Sequence, residues 1–130
     1  MAETDLPVVL IVDDSEFVLE LYSALLEETG WKVETRTNPF VDAAELSAMA
    51  PDVVLLDLGI PGVEDGDLPF LVRSLRGGSG RHVVLHSGRT EDELRQIAGA
   101  CGADGYLCKS GDETQLLDLL ESHRPGGSVP

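Results

Sequence analysis

Basic residues are scarce: 9 Lys and Arg stand against 24 Asp and Glu in 130 residues, a formal charge of −15. Such a surface repels nucleic acid and anionic membrane unless basic groups are concentrated in one patch, and no such patch is visible. Partners of either kind are therefore not expected through this chain. Cysteine is nearly absent. Cys101 and Cys108 have no His pair beside them, which argues against zinc, and both are expected to be small buried apolar residues, not a disulfide. No charged-then-apolar leader and no run of about 18 apolar residues occurs, so neither a secretion signal nor a membrane span is expected and the cytoplasm is the default location. Internal repeats and low-complexity runs are missing too.

With 42% hydrophobic residues, the chain has what one folded domain needs. Residues 1–124 are expected to form it. The last six, Pro125 to Pro130, have the composition of a flexible tail or the start of a linker. Two continuous apolar runs, Pro7 to Val12 and Val53 to Leu56, suit strands buried on both faces. Between them the spacing predicts a helix over Ser15 to Thr29, with Phe17, Leu21 and Leu25 on one row and Val18, Tyr22 and Leu26 beside it. A more exposed strand follows over Trp31 to Thr37, then a helix capped by Asn38, with Pro39 as its first residue, running to about Met49. Trp31 and Phe40 are expected to be packing residues.

Beyond residue 57 the pattern predicts a helix from Asp67 to Arg76, a strand over His82 to His86, and a helix opened by the capping box Thr90 to Glu93. A short strand, Gly105 to Cys108, and a last helix opened by a second capping box, Ser110 to Glu113, complete the order. Five strands alternating with five helices through short connections give an α/β, doubly wound, five-stranded parallel sheet with helices on both faces.

In a parallel sheet every strand ends on the same edge, where open α/β sheets place their ligands. Asp13 and Asp14 follow the first strand, Asp57 the third, Ser87 the fourth and Lys109 the fifth. Three carboxylates brought together need a compensating cation, and an all-oxygen set suits Mg²⁺. A lysine and a hydroxyl beside them equip the edge for a phosphoryl group, with Asp57 as the nucleophile. Taken singly, each residue has a plainer reading: acids at a helix start, a turn serine, a solvated lysine. The pattern carries the inference.

The order and spacing of Asp13-Asp14, Asp57, Ser87 and Lys109 resemble the receiver domain of two-component response regulators, over about residues 7 to 123, and the resemblance implies a flavodoxin-like sheet in the strand order 2-1-3-4-5. Tyr106 matches that family's aromatic switch position, and Pro61 its proline after the phosphorylated aspartate. The resemblance implies that Asp57 accepts a phosphoryl group from a sensor histidine kinase or a phosphotransfer protein. It implies that Asp13, Asp14, Asp57 and the Gly59 carbonyl hold Mg²⁺, and that Ser87 and Lys109 grip the phosphate. Ser87 and Tyr106 would form the switch, altering a surface read by a downstream protein target or by an output domain beyond this chain. Such a domain catalyses nothing beyond its own phosphorylation and dephosphorylation.

Ser110 departs from the family pattern, which places proline after the lysine through a cis bond; a cis bond before a non-proline costs about 3 to 4 kcal/mol. The loop after Asp57 is about one residue longer than the pattern and rich in glycine, and Gly59 and Arg89 occupy two positions that tune acyl-phosphate lifetime. These departures keep open a second reading, a pseudo-receiver that binds a protein partner without phosphorylation. A third, an aspartyl-phosphate phosphohydrolase, lacks the acid/base Asp that its mechanism needs at position 59.

Overall fold

A computed structural model describes residues 6–78, 80–109 and 113–125. Its five strands are β1 (Val8–Val12), β2 (Lys32–Arg36), β3 (Val53–Asp57), β4 (His82–Ser87) and β5 (Gly105–Cys108), all parallel, in the order β2-β1-β3-β4-β5. Helices α1 (Glu16–Glu28), α2 (Ala43–Met49), α3 (Leu68–Arg76), α4 (Glu91–Cys101) and α5 (Glu113–Ser122) alternate with them. The expected doubly wound sheet and its strand order are what is found.

The pleat sorts the core into two layers. Successive side chains of a strand point to opposite faces. Val9, Ile11, Val53, Leu55 and Val84 therefore pack with Leu19 and Leu26 of α1 and Leu116 and Leu120 of α5. Leu10, Val12, Val54, Leu56, Val83 and Leu85 meet α2, α3 and α4 on the other face. The central strands β1 and β3 are almost wholly inaccessible, as their unbroken apolar runs require.

Two helices depart from expectation. In α1 the row that turns inward is Leu19 and Leu26, with Val18, Tyr22 and Leu25 half-buried, while Phe17 is 73% and Leu21 44% exposed. Apolar residues occur all round this helix, so the row Phe17, Leu21 and Leu25 read from periodicity lies mostly outward, while its neighbour Val18, Tyr22 and Leu26 does pack inward. Its cap is Ser15, whose hydroxyl accepts the Val18 N–H. The second helix begins later than Asn38-Pro39 suggests. Asn38 instead closes a local turn, accepting the Phe40 N–H at 2.7 Å. Val41 drops into the core, and Asp42 caps α2 by accepting the Glu45 N–H at 2.8 Å. Phe40 stands 60% exposed as a result, whereas Trp31 is buried, with the Arg124 guanidinium 5.0 Å above its ring.

After β3 the chain folds Leu58 and Ile60 into the core before a 3-10 turn, Asp65–Asp67, leads into α3. The loop is thus seated at two points despite its glycines. The Thr90 to Glu93 capping box at α4 is present, and Gly102 ends that helix in the left-handed conformation. Cys101 is buried as expected, but Cys108 is only partly so, its thiol donating to the Arg89 carbonyl at 2.9 Å. The capping box expected at Ser110, the Lys109–Ser110 peptide bond and the tail from Gly126 lie outside the described residues. Among the described residues, no helix is long and apolar enough to cross a membrane.

Candidate functional site

The pleat that sorts the core also aims the site. Val9, Ile11 and Asp13 alternate along one face of β1, and Val53, Leu55 and Asp57 along the same face of β3. Leu107 and Lys109 continue that parity on β5. The three polar tips consequently emerge on the side of α1 and α5 and meet. Lys109 Nζ donates to Asp13 Oδ2 at 2.9 Å and to Asp57 Oδ1 at 3.0 Å. Backbone bonds fix the stems of these groups: the Lys109 N–H donates to the Ser87 carbonyl at 2.7 Å, and the Asp13 N–H to the Arg36 carbonyl at 3.1 Å.

Asp13 is 1% and Asp57 5% exposed, so both carboxylates are taken almost completely from water. Burial of this kind disfavours the charged form. Asp57 is pushed above the usual carboxylate range by burial, with Asp13 adding repulsion, and the Lys109 ammonium only partly offsets this. Lys109 itself is raised: burial alone would lower it, but hydrogen bonds to Asp13 and Asp57 outweigh that. One ammonium is thus shared between two buried acids and cannot neutralise both. Position 59 adds space on the same side. A Cβ there would stand 3.6 Å from Asp57 Oδ2 and 3.8 Å from Oδ1, so glycine leaves the face of the carboxylate open.

Asp14 is exposed, yet one carboxylate oxygen from each of Asp13, Asp14 and Asp57 lies within 4.8 Å of the others. Three carboxylates against one ammonium leave two negative charges unbalanced. The donors are all hard oxygens, and octahedral Mg²⁺ with bonds of about 2.0 to 2.1 Å keeps neighbouring ligand oxygens about 3 Å apart. The residues present fit a small divalent cation.

Ser87 leaves β4 on the other face, in line with Val83 and Leu85, and its hydroxyl accepts the Arg89 N–H at 3.2 Å. Tyr106 is half-buried on β5, packed against the α4 side of the core beside a groove lined by Glu91, Gln115 and Asp118. So the structure brings Asp13, Asp14, Asp57, Gly59 and Lys109 together, and sets Ser87 and Tyr106 in a second group, one strand and one face away.

Two further features border the site, of which the second was missed in the sequence. His86 is 3% exposed on the α1 face of β4, its Nε2 3.4 Å from the Tyr22 hydroxyl. Burial and the neighbouring ammonium of Lys109 lower its pKa to about 4, which keeps the imidazole neutral at physiological pH. The other is Asp65 in the 3-10 turn, which takes both ends of the Arg89 guanidinium, at 2.9 Å each. A histidine in an apolar strand was the available signal for the first. The second had none, since 24 residues separate its partners.

A family model for the response regulator receiver domain matches residues 9–121. The chain is 36% identical over 104 residues to the KDP operon transcriptional regulatory protein KdpE of Escherichia coli, a match covering 78% of this chain and 44% of that protein. It is 29% identical over 113 residues to the chemotaxis protein CheY of Halobacterium salinarum, covering 86% and 92%. This chain therefore spans less than half of the first relative and nearly all of the second. Among solved structures, the BeF3-activated N-terminal receiver domain of Klebsiella pneumoniae RstA superposes with a TM-score of 0.76 at 27% identity, covering 89% of this chain and 97% of that one. With the two-layered fold, the strand order and a family match running from β1 into α5, the chain belongs to the response regulator receiver domain family.

Proposed function

We propose that this receiver takes a phosphoryl group onto Asp57 from a phosphohistidine of a sensor histidine kinase or a phosphotransfer protein. The observation that carries the reading is the Lys109 ammonium held at 2.9 and 3.0 Å between two buried carboxylates, in a cluster with charge left over for a divalent cation. An Asp57 oxygen attacks phosphorus, the donor's P–N bond breaks, and its electron pair returns to the imidazole, which takes up a proton. Asp13, Asp14 and Asp57, with the Gly59 carbonyl, would hold Mg²⁺, which when bound offsets charge on the phosphoryl oxygens. Lys109 holds Asp57 in place and then faces the oxygens of the acyl phosphate.

Ser87 supplies a hydroxyl to the same group, and its movement makes room for Tyr106 to turn inward. That changes the surface of α4, β5 and α5, which a downstream protein or an output domain reads. In this reading the protein is cytoplasmic and catalyses only its own phosphorylation and dephosphorylation. Treating the chain with acetyl phosphate and Mg²⁺ and weighing it by mass spectrometry should give one added phosphoryl group, absent from Asp57→Asn. A wild-type protein that gains nothing, and whose amide spectrum ignores beryllofluoride with Mg²⁺, would be a phosphorylation-independent scaffold instead.

A further inference from the structure

Residue 89 fastens three parts of the site edge at once. Its guanidinium grips Asp65 in a two-pronged ion pair, with both N–H···O distances 2.9 Å. Its N–H holds the Ser87 hydroxyl at 3.2 Å, and its carbonyl takes the Cys108 thiol at 2.9 Å. The next residue, Thr90, is already committed to capping α4. The loop after β4 thus has little freedom while the ion pair is closed. Asp65 belongs to the loop after β3, the one that carries Gly59, so the pair ties the phosphate-gripping side of the site to the metal side. Its carboxylate is held below the usual range by the Arg89 hydrogen bonds, and the guanidinium is raised by the same contact.

Ser87 points along the α4 face, whereas Asp57 and Lys109 emerge on the α1 and α5 face. To reach a phosphoryl oxygen on Asp57, its hydroxyl must swing across the end of β4 and give up its present bond to the N–H of residue 89. A clasp that fixes residue 89 opposes that swing. Resting on the reading of Asp57 as phosphoryl acceptor, we propose that Asp65 is a positioning residue that holds Arg89 and restrains Ser87, so that the clasp must loosen as the phosphoryl group is gripped. An exposed ion pair is usually weak, but two parallel N–H···O bonds are the geometry in which one is felt, and an effect of about threefold to fivefold is expected.

The test is the affinity of the whole chain for beryllofluoride with Mg²⁺, followed by amide NMR, in wild type, Asp65→Asn, Arg89→Gln and the double variant. Plain charge arithmetic moves the two single variants in opposite directions, since one removes a negative and the other a positive charge near an anion. The clasp moves both the same way: each single variant binds about threefold to fivefold tighter, and the double variant no tighter than either. Swapping the pair, Asp65→Arg with Arg89→Asp, returns the affinity toward wild type, and the advantage of Asp65→Asn shrinks in 1 M salt. Opposite effects of the single variants, or additivity in the double one, overturn the proposal while leaving the acceptor reading intact. A wild-type chain that ignores beryllofluoride overturns both.

Discussion

At the amino-terminal edge of the sheet, Asp52 accepts the Val8 N–H at 2.9 Å, and Asp104 accepts both the Val83 N–H and Arg76 at 2.7 Å. At the carboxyl-terminal edge, Asp13 and Asp57 share one ammonium, and Asp14 stands beside them. The residue types are the same, but their charge balance differs. Burial alone would raise Asp104, yet Arg76 and the Val83 N–H together bring it below the usual carboxylate range, while Asp57 is held above it. The first edge is stapled, each acid answered by a donor or a cation; the second holds more negative charge than its one ammonium balances, and destabilised groups of this kind are where sites are built.

The largest effect expected from breaking this comparison is functional. Asp57→Asn should abolish phosphoryl uptake completely, whereas Asp104→Asn, altering an aspartate at the opposite edge of the sheet, should leave uptake intact by mass spectrometry. Asp104→Ala should instead lower stability by about 1 to 3 kcal/mol in urea titrations, because it strands the Val83 N–H.

The acid response of His86 comes next. Its folded pKa of about 4 lies below the ordinary 6.5, so the unfolded chain binds the extra proton between those values. Its contribution is complete above pH 6.5 and is lost as pH falls toward 4, to the extent of about 3 kcal/mol. His86→Leu should flatten the stability-versus-pH curve across that window, and an unchanged slope would show that the imidazole is already solvated.

The two edges should also titrate with opposite sign in metal-free buffer. Asp104, depressed in the fold, stabilises above its unfolded pKa, and that stability is lost as pH falls through the folded value. Asp57, raised in the fold, contributes most below its unfolded pKa, and the contribution is lost as pH rises through the folded value. Relative to wild type, Asp57→Asn should therefore gain stability with rising pH, whereas Asp104→Asn should be less stable at neutral pH by a deficit that shrinks as pH falls into acid. The smallest effect belongs to neither edge: Phe17→Ser, on the exposed side of α1, should change stability by no more than about 0.5 kcal/mol. A large loss there would mean that Phe17 packs in a way its exposure does not reveal.

Some of this was written plainly in the chain. The runs Val53 to Leu56 and Pro7 to Val12 suited buried strands, and alternation with helices of capped, periodic sequence left few arrangements besides a parallel sheet with helices on both faces. The strand-tip acids and Lys109 then had to share an edge. The α1 stripe and the start of α2 were not legible. Apolar residues surround the first helix, and both Asn38 and Asp42 are competent caps; which one serves depends on Val41 finding the core.

What the sequence by itself determined is the set of groups delivered to the edge, because every strand of a parallel sheet ends on the same side. Which of them touch was decided by the pleat. The parity of Asp13, Asp57 and Lys109 puts them on one face in hydrogen-bond contact, while Ser87 takes the other face and is held there through Arg89 and Asp65. Contacts between loops distant in sequence leave no periodic trace, since their partners are chosen by how the finished sheet twists and packs, and only the folded chain brings them together.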